Sequence, residues 1–167
     1  MRLQRPKSQW LSLPVQHSNR TRNGVRYKLE TFKVYVVEDS PVIRDALIER
    51  IEEHGKFKVV GFAETASDAI EGLRQNEPNV VLLDLHLKEG SGYDVLRGLN
   101  SHAVPAVEHV VVFSNNASAM HQKVAKSLGA SRFFDKSMQF EEMLDALHAW
   151  AETQKKIHLC ILQAALL

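Results

Sequence analysis

Cysteine is nearly missing from this chain. Among its 167 residues only Cys160 carries a thiol, which excludes a disulfide framework within one copy and any cysteine-built zinc site. Long apolar runs are missing as well. None approaches the ~20 residues that cross a bilayer, so no membrane span is expected. The N-terminus has no apolar core of the secretory type, because the stretch from Trp10 to Val15 is broken by Ser12 and Pro14. A net charge of one sign is lacking too: 21 Lys and Arg stand against 20 Asp and Glu, leaving +1. That balance argues against a protein that binds nucleic acid through its whole surface. What is present is ordinary for a folded domain. The chain is 44% hydrophobic and 25% charged, enough apolar matter for a real core.

The balance hides an asymmetry. Residues 1–33 hold eight basic residues and one acid, Glu30, for a net of +7, and the remainder nets −6. A basic arm precedes an acidic body. Residues 1–31 have no sustained period and are punctuated by Pro6, Pro14 and Gly24, so they read as a flexible N-terminal arm. An Arg-rich, acid-poor start is also the composition of a transit peptide, and the residues leave both readings open.

From residue 32 the pattern changes. KVYVVE (33–38), KVVGFA (58–63), NVVLLDL (79–85), VEHVVVFS (107–114) and SRFFDK (131–136) read as strands. Between and after them, residues 40–55, 65–76, 93–101, 117–130 and 139–156 carry helical spacing. The boundaries have physical markers: Ser40 and Pro41 open the first helix, Gly55 closes it, Thr65 and Asp68 cap the second, and Gly129 ends the fourth. Strands alternating with helices imply βαβ units and a parallel sheet covered on both faces. Residues 32–150 therefore form one doubly wound α/β domain, and residues 151–167 remain as an extension of the last helix or an apolar tail.

Polar residues break the strand pattern at the carboxyl ends. The first strand ends in Glu38-Asp39, the third in Asp84, the fourth in Ser114 and the fifth in Lys136. In an open α/β sheet, ligands bind beyond these ends, at the point where the strand order reverses. With the order 2-1-3-4-5, the first and third strands are neighbours there. Three carboxylates at one edge repel, and an all-oxygen set of this kind suits Mg²⁺, which takes one or two carboxylates and phosphate oxygens. Lys136 and Ser114 add an ammonium and a hydroxyl. An Asp so flanked can act as a covalent nucleophile toward a phosphoryl donor.

These residues, each at a strand end and in this order, resemble the response-regulator receiver domain of two-component signalling. The resemblance rests on Glu38-Asp39, Asp84 in VVLLDLHLKEGSG, Ser114 in VVVFSNNAS and Lys136 in FFDKS. It implies a flavodoxin-like sheet of five parallel strands, order 2-1-3-4-5, with five helices. It implies Asp84 as phosphoacceptor and Mg²⁺ held by Glu38, Asp39, Asp84 and the backbone carbonyl of His86. Ser114 would bond a phosphoryl oxygen, Lys136 would pair with the phosphoryl group, and Phe133 would be the switch aromatic that follows Ser114. His86 and Asn116 would tune autodephosphorylation. The partners implied are a histidine kinase or a histidine phosphotransfer protein and a downstream protein target. The setting implied is cytoplasmic, and the protein would not be a turnover enzyme on an external substrate. Two positions depart from the common pattern: Ser137 follows Lys136 where proline is frequent, and Lys88 stands four residues after Asp84 where many members have proline. The first removes the usual reason for a cis peptide.

Only seventeen residues follow residue 150, too few for a DNA-binding or catalytic output domain. The expectation is a stand-alone receiver that binds no specific DNA sequence. The apolar tail, IHLCILQAALL, reads either as a helix extension packed on the body or as a homodimer or partner contact. Three further functions compete: a non-phosphorylated scaffold of receiver shape, a nucleic-acid contact through the basic arm, and a hydrolase of flavodoxin-like topology that uses Asp84 on small phosphoesters.

Overall fold

The computed structural model describes residues 21, 22, 25, 26, 31–101 and 104–164. The chain divides into two units, residues 1–30 and residues 31–167. In the first, Thr21–Arg22 and Val25–Arg26 pair antiparallel. The rest of the arm lies outside the described residues.

The second unit alternates strictly. In order it comprises β1 (Phe32–Val37), α1 (Pro41–Glu52), β2 (Phe57–Ala63), α2 (Ala66–Asn76), β3 (Val80–Leu83), α3 (Gly92–Asn100), β4 (His109–Ser114), α4 (Ala119–Ser127), β5 (Arg132–Asp135) and α5 (Phe140–Ala164). The five strands form one parallel sheet in the order β2-β1-β3-β4-β5. The expected flavodoxin-like order of 2-1-3-4-5 is therefore what the chain adopts.

Period-two alternation divides the strands between two cores. Val34, Val36, Leu82, Val111 and Phe113 face α1 and α5, meeting Leu47, Ile51, Met143 and Leu147. Tyr35, Val37, Val81, Leu83 and Val112 face the other way, meeting Ala69, Leu73, Val95, Leu96 and Ala125 of α2, α3 and α4. All four residues of β3 are buried, as a central parallel strand requires.

Helix starts follow local chemistry. Thr65 Oγ1 accepts from the Asp68 N–H. Ser91 and Asp94 form a reciprocal capping box at α3. Ser40 stands at the N-cap of α1 without a side-chain cap bond, and Pro41 occupies the first helical position. Apart from the end of α5, element ends differ from the sequence reading by up to three residues. β1 ends at Val37 and β5 at Asp135, so Glu38 and Lys136 stand just past the ladders rather than inside them. α5 is longer than the 139–156 of the sequence reading and runs unbroken to Ala164. Ile157, Leu159 and Ile161 on its last turns are exposed. Among the described residues no helix is long and apolar enough to cross a membrane.

Candidate functional site at the carboxyl edge of the sheet

β1 and β3 are direct neighbours, with Val37 opposite Leu83. The chain continues one residue past each strand in step: the Glu38 N–H donates to Ala63 O and the Asp84 N–H to Val37 O. This places Glu38 and Asp84 side by side at the sheet's edge, with Asp39 next to them. Carboxylate oxygens of Glu38, Asp39 and Asp84 all lie within 4.8 Å of one another. From the far side, the Lys136 Nζ donates to Glu38 Oε2 and Asp84 Oδ2, each at 2.5 Å. The Lys136 N–H donates to Ser114 O, which ties the turn after β5 to the end of β4.

Glu38 and Asp84 are buried, and the Lys136 side chain is nearly so. Burial pushes the Glu38 carboxyl above its ordinary range, against the opposing pull of the hydrogen bond and charge of Lys136 and of the Ser40 N–H, with Asp84 adding a further push. Three carboxylates and one ammonium leave two formal negative charges in one small space, a charge that one divalent cation offsets. The donor set is all oxygen, as Mg²⁺ prefers.

Ser114 is fully buried at the end of β4, and its Oγ has no hydrogen-bond partner. An orphaned buried hydroxyl carries a cost, which a ligand oxygen can offset. His86 is exposed, and its N–H donates to Asp84 Oδ1 at 3.2 Å. Asn116 is exposed in the loop between β4 and α4. Phe133 is half-buried on β5 against the α2-α3-α4 core. The structure thus brings Glu38, Asp39, Asp84 and Lys136 together directly. It places Ser114 and His86 at the same edge, and Asn116 and Phe133 on the elements that flank it.

The two departures noted in the sequence have local reasons. The peptide bonds of the described residues contain no cis bond. The Ser137 N–H donates to Asp135 Oδ1, and the Lys88 N–H donates to Glu64 O. Proline has no N–H and could make neither bond.

Two contacts escaped the sequence reading. Arg44 on α1 is buried, donates to Glu64 at 2.9 Å and lies 4.2 Å above the Phe62 ring, fixing the start of α1 to the end of β2. Tyr93 and His121 meet across α3 and α4. Neither pair follows a local spacing, so only the fold joins them.

Comparison with known proteins agrees with this geometry. The family described as the response regulator receiver domain matches residues 34–148. A nitrate/nitrite response regulator protein homolog of Haemophilus influenzae is 25% identical over 123 residues, covering 74% of this chain and 58% of the relative. The virulence factors putative positive transcription regulator BvgA of Bordetella pertussis is 28% identical over 117 residues, covering 70% and 54%. The chain therefore spans little more than half the length of these curated relatives. The signal receiver domain of the response regulator NarL of Mycobacterium tuberculosis superposes with a TM-score of 0.66 at 26% identity, covering 74% of this chain and 98% of that one.

Proposed function

The chain belongs to the response-regulator receiver family, and from that premise we propose that it is a phosphoacceptor whose Asp84 is phosphorylated by a histidine kinase or a histidine phosphotransfer protein. The observation that carries this is the buried cluster in which Lys136 bridges Glu38 and Asp84 beside Asp39. Such a cluster has no structural merit by itself, since a buried ion pair seldom stabilises a fold more than apolar packing does.

In this reading an Asp84 carboxylate oxygen attacks the donor's phosphorus in line. The P–O bond forms as the P–N bond to the donor histidine breaks, and the leaving imidazole nitrogen keeps the electron pair. Lys136, already hydrogen-bonded to Asp84, is placed to follow the charge onto the phosphoryl oxygens. The Ser114 hydroxyl, without a partner in this structure, donates to one of them. Glu38, Asp39, Asp84 and the His86 carbonyl would hold Mg²⁺, which when bound neutralises charge on the transferred group. His86 and Asn116, both exposed, would govern the access of water to the acyl phosphate. Phe133, half-buried on β5, would couple this site to the face formed by α4, β5 and α5, which we take as the surface that a downstream protein reads. The setting for this exchange is the cytoplasm.

The test is direct. Incubation with Mg²⁺ and acetyl phosphate, read by intact mass, should give one phosphoryl adduct. Asp84→Ala or omission of Mg²⁺ should abolish it. Failure to form the adduct, together with failure to bind beryllium fluoride, would overturn the reading in favour of a receiver-shaped scaffold.

A further inference from the structure

Tyr93 and His121 make a contact that the proposed chemistry does not use. The Tyr93 hydroxyl and His121 Nδ1 are 2.6 Å apart, and the rings stack with an interplanar angle of 18°. Burial pushes the Tyr93 phenol above its ordinary range, so it remains an O–H donor at neutral pH. It donates to His121 when that ring carries its proton on Nε2.

The position of the contact gives it meaning. Tyr93 follows Gly92, whose N–H donates to Leu85 O at 3.0 Å. A Cβ at Gly92 would stand 2.3 Å from Asp84 O. The start of α3 is therefore seated directly on the backbone of the acceptor loop. On the other side, His121 lies in the first turn of α4, and loop 115–118 joins that turn to Ser114. Ser118 caps the same turn by accepting from the His121 N–H. β3 and β4 are adjacent, with Leu83 opposite Val112. One ring is thus closed around the acceptor: Asp84, its loop, α3, the Tyr93–His121 contact, α4, loop 115–118 and Ser114.

We propose that Tyr93 and His121 are positioning residues that hold α4 and loop 115–118 in the arrangement where Ser114 has no partner, and so oppose its engagement with an anion on Asp84. The inference rests on the receiver reading above. In this proposal, loop 115–118 shifts as the Ser114 hydroxyl engages a phosphoryl oxygen. α4 is attached to that loop, so the shift strains or breaks the Tyr93–His121 bond. The pair is then a bias within the two-state equilibrium that phosphorylation drives.

Beryllium fluoride with Mg²⁺ is the probe, and its affinity is measured by calorimetry on the full chain. Tyr93→Phe keeps the ring stack and removes the hydroxyl, and it should bind about fivefold tighter, the factor of one net hydrogen bond. His121→Leu should give a similar gain, and the double variant no more than either alone, because both remove one bond. In a Ser114→Ala background the Tyr93→Phe gain should vanish. A purely structural contact would not show that dependence. Equal affinity of Tyr93→Phe and wild type, weaker binding, or an undiminished gain without Ser114 would each overturn the proposal. If the wild type itself binds no beryllium fluoride, the receiver reading falls first and this inference falls with it.

Discussion

Replacing Lys136 by methionine keeps the length of the side chain and removes its charge. The Lys136 Nζ sits 2.5 Å from both Glu38 Oε2 and Asp84 Oδ2, and the three side chains are 5%, 2% and 7% exposed. An exposed pair would contribute about 0–1 kcal/mol. Removing one partner of a buried pair costs about 3–5 kcal/mol, because a carboxylate stays buried without compensation. Two carboxylates are stranded here. Each keeps one backbone donor, Ser40 N–H for Glu38 and His86 N–H for Asp84, so the lower end of about 3 kcal/mol applies. With a urea slope of about 2 kcal/mol/M, the midpoint in chelator should fall by about 1.5 M. Mg²⁺ provides the second half of the test. A site that has lost its ammonium binds a divalent cation more tightly, and a ligand that binds only the folded state stabilises it by mass action. Added Mg²⁺ should therefore raise the midpoint of Lys136→Met more than that of the wild type. A midpoint change below about 0.3 M in chelator, or an equal Mg²⁺ response in both proteins, would refute this account of the cluster.

Two further outcomes follow from the same geometry. Gly92→Ala should destabilise by about 3 kcal/mol, since its Cβ would lie 2.3 Å from Asp84 O and 2.9 Å from Leu85 Cα, neither of which can move aside. Gly55→Ala is the control: its φ is +64° but nothing lies within 4 Å, so it should cost only about 1 kcal/mol in the same denaturation assay. The pH dependence of stability should carry a signature of His148. Burial lowers its pKa, Lys56 and His54 lower it further, and its Nδ1 is buried without a partner. A folded pKa below the unfolded value of about 6.5 means that the unfolded chain takes up the proton first. Stability from this group is therefore present above that value and lost as pH falls through the folded pKa. His148→Gln should show a shallower loss between pH 7 and pH 5 in urea melts, and equal slopes would count against the assignment.

Much of the architecture was legible because parallel strands buried on both faces leave a strong local mark. Val80 to Leu83 read as an unbroken apolar run, and they are buried throughout. The acidic cluster was legible for a related reason. Glu38, Asp39 and Asp84 each interrupt an apolar strand where burial should have continued, and such interruptions are conspicuous without any structure. The boundaries were less so. Glu38 and Lys136 were read as the last residues of their strands and stand one residue beyond them, because hydrogen-bond ladders end by pairing and not by composition.

By itself, the amino-acid order determined the alternation of strand and helix, the identity of the residues at the carboxyl edge and the segregation of positive charge into the arm. These depend on side-chain type and on spacing within a few residues. Tertiary structure alone decided that Lys136 reaches both Glu38 and Asp84, across 98 and 52 residues of chain. It also decided that the Ser114 hydroxyl is buried without a partner, that Arg44 seals against Glu64 and Phe62, and that Tyr93 meets His121. These are contacts between elements, set by how the helices seat on a twisted sheet, and no local period encodes such a distance.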